Sequence, residues 1–337
     1  MRPLSRPAGR FRQPATLGTF REPAIQRALR SAAPTTEECL RLLDRKERGE
    51  ALTDDENVAA AKVQARLPRE YKRATPDLLD ALGPFCAYCE MRINDPTQLE
   101  HAIPKGPYPM FALTWDNFLP ACIGCNSRKN NQPLRASVEA SYLPAPPWTH
   151  DDYREAIREQ AYRWPDRDKT HGYFAVRLFY EDRAKRWQPI PDDASVAEGT
   201  VIVKPASVTR GEVRAAVPAV GRRNRRVAAF VVDLAGDART EAMIALCGLR
   251  RPPVAGDASD RRTLYRTVAW FDALRALRPL VGSPAPSLAP GFVLALYHSG
   301  FYWTWLSVAE LLGADVLATF LEATSGVFPG TDPSRLP

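Results

Sequence analysis

Cysteine is scarce in this chain, with six residues in 337, and the N-terminus has no continuous apolar run. The first feature argues against a disulfide-built scaffold, and the second predicts no secretory leader. Acidic residues are nearly missing from positions 1–30. Glu22 stands alone there against Arg2, Arg6, Arg10, Arg12, Arg21, Arg27 and Arg30. That excess reads either as an arm that tracks phosphates or docks on a partner, or as a solvated tail. No segment repeats at a fixed period, which excludes a solenoid. Residues 291–309, GFVLALYHSGFYWTWLSVA, carry no formal charge and approach the length of a membrane span. His298, Ser299, Gly300, Thr304 and Ser307 interrupt the stretch, and Glu310 and Asp315 follow it. It is therefore expected to be a buried aromatic helix, or a helix pair broken near Ser299–Gly300.

Apolar residues make up 45% of the chain, so a real core is available. The length allows two domains, or one with long extensions. A net charge of +7 and a sequence pI near 9.2 suit a nucleic-acid ligand without proving one.

Four of the cysteines fall into two pairs, Cys86/Cys89 and Cys122/Cys125. Two Cys-x-x-Cys turns supply the four soft ligands of a structural zinc ion. No thioredoxin-like pattern surrounds them, which speaks against redox disulfides. Cys39 and Cys247 lie in helical, partly apolar contexts and read as buried thiols. A zinc bound by four cysteines fits a reducing cytoplasm.

Between the pairs stands Glu100-His101-Ala102-Ile103-Pro104-Lys105, after a short predicted strand at 97–99. A histidine near neutral pKa deprotonates water for attack on phosphorus. Glu100 and the Asn126 side chain offer oxygen to Mg²⁺ or Mn²⁺, which would neutralise the phosphate. Lys105, Arg128 and Lys129 are placed to hold a phosphate backbone. The bland alternative is a buried, hydrogen-bonded His101. His150, His171 and His298 lack such neighbours and read as structural or exposed.

The order Cys-x-x-Cys, Glu100-His101, Asn117, Cys-x-x-Cys-Asn126 and Lys129 resembles the HNH endonuclease motif over about 45 residues. The resemblance implies an α+β fold: a zinc-stabilised ββα-metal, treble-clef-like core, preceded by helices and followed by a mainly helical C-terminal region. It implies His101 as general base and Asn117 as the residue that pins the loop orienting it. Asn126 and Glu100 then hold the catalytic metal, although many members carry Asp where Glu100 stands. Glu-His-x-x-Pro-Lys with Trp115-Asp116-Asn117 is similar to a prokaryotic defence branch of that family. That branch includes the Septu-type HNH nuclease that works with an ATPase. Cys247-Gly248-Leu249-Arg250 resembles its Leu-Gly-Leu-Asn turn with Arg250 in place of Asn, and Phe328–Thr331 extends the likeness.

Along the chain, Thr35-x-x-Glu38 and Thr53-x-x-Glu56 are capping boxes, and Thr75-Pro76 opens a third helix. Arg66, Arg69, Lys72 and Arg73 form a basic cluster that either lines a nucleic-acid groove or is a solvated face. Residues 130–147 are rich in proline and turn formers and read as a boundary. The expected division is an arm at 1–34, helices and nuclease motif at 35–147 (motif 84–130), and a partner-binding or regulatory region at 148–337. Within that last region, 150–163 reads as a helix and 173–180, 200–203 and 227–232 as strands. Arg222–Arg226 is a dense basic run, either a phosphate contact or an exposed turn. Residues 237–249, 260–277 and 292–323 read as helical, the second with a stripe of Leu264, Val268, Phe271 and Leu274.

The reading this supports is a cytoplasmic, metal-dependent phosphodiester hydrolase, an endonuclease with structural Zn²⁺ and catalytic Mg²⁺ or Mn²⁺. The resemblance implies DNA rather than RNA, a role in antiviral defence, and an ATPase partner. The alternatives are an effector gated by a small-nucleotide sensor domain and a non-catalytic zinc knuckle that binds nucleic acid.

Overall fold

The computed structural model describes residues 23–30, 34–93, 98–182, 184–190, 227–252, 260–282, 289–329 and 331. The arginine-rich arm before residue 23, the expected strand at 200–203 and the basic run at 222–226 lie outside the described residues.

Helices come first: α1 (Pro23–Ala28), α2 (Thr36–Glu47), α3 (Asp54–Lys72) and α4 (Thr75–Leu82). Both expected capping boxes form. Thr35 and Glu38 cap each other at the start of α2, and Thr53 and Glu56 do so at α3. Strand β1 (Gln98–His101) then pairs antiparallel with β2 (Phe118–Ala121), setting Glu100 opposite Leu119 and His101 opposite Phe118. Helix α5 (Ile123–Lys129) follows β2 directly, so the order strand, strand, helix is realised around the cysteines.

The proline-rich stretch after α5 contains a short helix that the composition did not announce, α6 (Arg135–Tyr142), with Val138 buried. Helix α7 (His150–Glu155) runs on as a π-helical turn to Ala161. Strands β3 (Phe174–Glu181), β4 (Trp187–Pro189) and β5 (Val227–Asp233) form an antiparallel sheet with β3 in the centre. Five helices complete the described chain: α8 (Ala238–Cys247), α9 (Arg262–Leu277), α10 (Ala289–Ser299), α11 (Tyr302–Leu312) and α12 (Ala314–Thr324).

A single buried apolar cluster runs from Ile25 to Phe328 and includes residues on both sides of position 147. The uncharged stretch folds as α10 and α11, broken at Ser299–Gly300, and packs against the first cysteine pair. Phe301 N donates to the Glu90 carbonyl at 3.0 Å, and Trp303 N donates to Glu90 Oε2 at 2.7 Å. Gly300 sits at φ +70°, and a Cβ there would lie 2.5 Å from the Glu90 carbonyl oxygen. Only glycine permits that approach. Among the described residues, no helix is long and apolar enough to cross a membrane.

The expected stripe on α9 is corrected. Leu264 and Phe271 are buried, but Val268 is 39% exposed, and the inward face carries Arg262, Arg266, Thr263 and Thr267. The threonines serve neighbouring backbone: Thr267 Oγ1 accepts from Ala229 N of β5 at 2.9 Å. The polar burial hides the true face from a hydrophobicity pattern.

Candidate metal centre and active site

The turn after Phe85 presents Cys86 and Cys89, while Cys122 caps α5 and Cys125 lies in its first turn. All four side chains are buried, and their sulfurs lie within 4.8 Å of one another. Cys89 and Cys122 Sγ are 3.7 Å apart. A zinc–sulfur bond of about 2.3 Å sets tetrahedral sulfurs about 3.8 Å apart, so the cluster fits structural zinc. Hydrogen bonds from Cys125, Cys86 and Cys89 hold Cys122 far below the ordinary thiol range, while burial pushes Cys89 and Cys125 well up. The described residues hold no second cluster of three or more His, Cys, Asp or Glu ligands. Cys39 and Cys247 are both fully buried.

A cavity of about 470 Å³ opens beside β1 and α5. Glu100, His101, Lys105 and Asn126 line it together, with Tyr71 and Lys72 from the end of α3. His101 is 4% exposed and packs edge-on against Tyr71 and Phe118, with ring centroids 4.8 Å and 5.2 Å away. Its Nε2 lies 3.0 Å from the Ala112 carbonyl. A carbonyl only accepts, so Nε2 carries the proton and Nδ1 keeps the basic lone pair. Burial, reinforced by the Lys105 charge, pushes the imidazole down to about 3, well below the near-neutral value expected from the sequence. The ring is therefore neutral and only weakly basic, buried and hydrogen-bonded as the bland alternative had it.

Asn117 ends a 3₁₀ turn and reaches the 102–112 loop that leads out of β1. Its Oδ1 accepts from Ile103 N at 2.6 Å, and its Nδ2 donates to the Ile103 and Phe111 carbonyls at 2.8 and 3.0 Å. That is loop pinning by a fully engaged buried amide. The loop it fixes carries Ala112, the acceptor for His101.

Glu100 is 3% exposed, and Lys129 Nζ stands 2.7 Å from its Oε1, off the line of a good hydrogen bond. Burial raises the carboxyl, and Lys129 opposes that rise. The same Nζ donates to the His101 carbonyl at 2.7 Å. Two of the three expected phosphate contacts are therefore engaged elsewhere. Lys129 is fully buried and holds β1, where a solvent-borne phosphate cannot reach it. Arg128 does not line the cavity and pairs with Asp260 at 3.0 Å. Lys105 does line it, its Nζ lying 5.5 Å from the centre of the Tyr71 ring.

The other histidines pair locally: His150 with Asp44, His171 with Glu310 and His298 with Arg92. Arg250 donates to the Val231 carbonyl and to Glu241. Sequence reasoning missed Tyr71. It is the penultimate residue of an ordinary amphipathic helix, and no spacing tied it to a histidine thirty positions on.

A 55-residue stretch of the chain is 38% identical to the Septu protein PtuB of Bacillus thuringiensis. The match takes in 15% of this chain and 21% of PtuB, so the chain spans about a fifth of that relative's length. No family model matches the chain, and no solved structure does.

Proposed function

We propose that this chain is a metal-dependent endonuclease of the HNH type that hydrolyses phosphodiester bonds, with DNA as the substrate ahead of RNA. The observation that carries the reading is the convergence of Glu100, His101, Lys105 and Asn126 on one cavity, with Asn117 pinning the loop that fixes the imidazole. The partial likeness to PtuB supports a place in prokaryotic antiviral defence, with an ATPase as the partner.

His101 Nδ1 takes the proton from the attacking water while the Ala112 carbonyl holds Nε2–H. Glu100 and Asn126 offer one carboxylate and one amide oxygen. That sparse donor set suits Mg²⁺ or Mn²⁺, which keep several waters and take phosphate oxygens as ligands. Such an ion, when bound, neutralises charge on the scissile phosphate and the leaving oxygen. Lys129 balances the buried carboxylate and fixes the β1 backbone at His101. Lys105 supplies positive charge at the cavity wall. The cysteine centre ties both ends of this segment, whose buried apolar residues belong to the core shared by the whole described chain.

Plasmid and oligonucleotide cleavage by zinc-loaded protein, with Mg²⁺ or Mn²⁺ titrated in, tests the reading. Cleavage that requires the added ion and vanishes in His101→Ala is expected. Binding without cleavage at any ion concentration would instead make the chain a zinc-knuckle nucleic-acid-binding module.

A further inference from the structure

Four thiolates around a divalent cation carry a net double negative charge, and a buried charge needs an answer nearby. Within the motif, the backbone donor to a cysteine sulfur is the uncharged Cys125 N, to Cys122 Sγ at 3.4 Å. We propose that Arg262 is the charge partner of the zinc–thiolate centre, so that zinc is retained by a site shared between the cysteine motif and α9.

Arg262 is 3% exposed, and its Nη1 donates to Cys125 Sγ at 2.9 Å and to the Cys247 carbonyl at 2.6 Å. Its Nε and Nη2 grip Asp260 at 2.9 and 2.8 Å, a two-point clamp that aims the remaining nitrogen at the sulfur. Asp260 also takes Arg128 Nη2 at 3.0 Å, and Arg128 belongs to α5, the helix of Cys125. The ring from α5 through Asp260 and Arg262 back to α5 is thus closed. Gly124, inside the second cysteine pair, makes room for it: a Cβ there would lie 3.2 Å from Arg262 Nε.

Arg266 lies one turn further along α9, 1% exposed. It donates to the Leu249 carbonyl at 2.9 Å, while its Nη2 makes no hydrogen bond. Burial pushes the Arg266 guanidinium down from its ordinary value, and the charges of Cys89, Cys125 and Glu90 only partly offset burial and the neighbouring Arg262. Asp260 carries one negative charge against the two guanidinium groups of Arg128 and Arg262, which leaves Arg262 able to answer charge on the sulfurs. An N–H donor on a ligating sulfur lowers its charge without displacing it from the metal.

Arg262 is a positioning residue, and its test needs no nucleic acid, so it stands or falls apart from the hydrolytic reading. Zinc release from the full-length protein into a chromogenic chelator is timed for wild type, Arg262→Met, Arg262→Lys and Asp260→Asn. Loss of the donor should speed release roughly ten- to hundredfold in Arg262→Met. Arg262→Lys keeps charge without the fork, and Asp260→Asn loosens the clamp; both should fall between. In the cobalt-substituted protein the sulfur-to-metal charge-transfer band should shift in Arg262→Met and return towards wild type in Arg262→Lys. A purely structural arginine would lower the melting temperature and leave that band in place. Wild-type release from folded Arg262→Met overturns the proposal. If that variant does not fold, wild-type release from both Arg262→Lys and Asp260→Asn overturns it equally.

Discussion

The cysteine centre and the cavity share one strand–strand–helix segment, yet they are built on opposite physics. The first has four soft ligands, all buried, already within 4.8 Å of one another. The second has one buried carboxylate, already paired with Lys129, and one amide on an open wall. A complete set of protein ligands makes a metal part of the fold. An incomplete set makes a metal part of the substrate complex, because water and phosphate must finish the coordination. On the proposed reading, the difference teaches where rigidity is placed: around the soft centre, so that a hard ion in the cavity can be left to complete its shell with phosphate and water.

The largest effect should come from the complete centre. Cys122→Ser removes one thiolate, and structural zinc carries about 10 kcal/mol or more of folding free energy in small zinc domains. Metal analysis should show zinc lost, with the melting temperature of the whole protein sharply lowered. Stoichiometric zinc in that variant would break the comparison.

Next comes His101→Ala, with cleavage lower by about a hundred- to ten-thousandfold while zinc content stays at wild type. Zinc lost together with activity would mean that the two centres are one.

Asn117→Ala strands the Ile103 N–H and two carbonyls, at about 3 kcal/mol of stability in denaturant unfolding. Cleavage should fall with it, because the loop loses its pin.

Asp44→Asn sharpens the comparison from outside the two sets of ligands, because Asp44 reaches the 102–112 loop through Arg135 and His150. Burial disfavours the Asp44 carboxylate, but hydrogen bonds from His150 and Arg135 and the charges of Arg135 and Arg48 overcome it and hold the group at about 2. The folded value lies below the ordinary 3.8, so this stability is present above pH 3.8 and is lost as pH falls through 2. The variant should be less stable by about 2 kcal/mol at neutral pH, lose that difference in acid, and keep its zinc.

Lys105→Ala should do least. Removing one phosphate contact lowers the slope of log affinity against log salt by about one, read by anisotropy with a short DNA duplex. An unchanged slope would remove Lys105 from the nucleic-acid face.

The cysteine spacing made the soft centre legible, because thiolate pairs two residues apart have few other uses at that separation. The capping boxes and the Ser299–Gly300 break were equally readable, being local chemistry. What stayed hidden was tertiary. Lys129 reads as a phosphate ligand from its place after Arg128, but α5 turns it inward to Glu100. Arg262 and Arg266 fall outside the apolar stripe read on α9, yet both are buried, and Arg262 donates to Cys125 Sγ. Val268 then goes outward, against its hydrophobicity. Tyr71 meets His101 only through the packing of α3. A sequence pattern states what a residue prefers in water; it does not state what partner the fold brings to it.

The most direct test of two unlike centres is anomalous scattering from a crystal of the zinc-loaded protein with an uncleavable oligonucleotide and Mn²⁺. The account predicts zinc among the four cysteine sulfurs, and manganese against Glu100 and Asn126 with a phosphate oxygen and waters filling its shell. Manganese absent from that cavity, or present there with a full set of protein ligands and no phosphate, would contradict it.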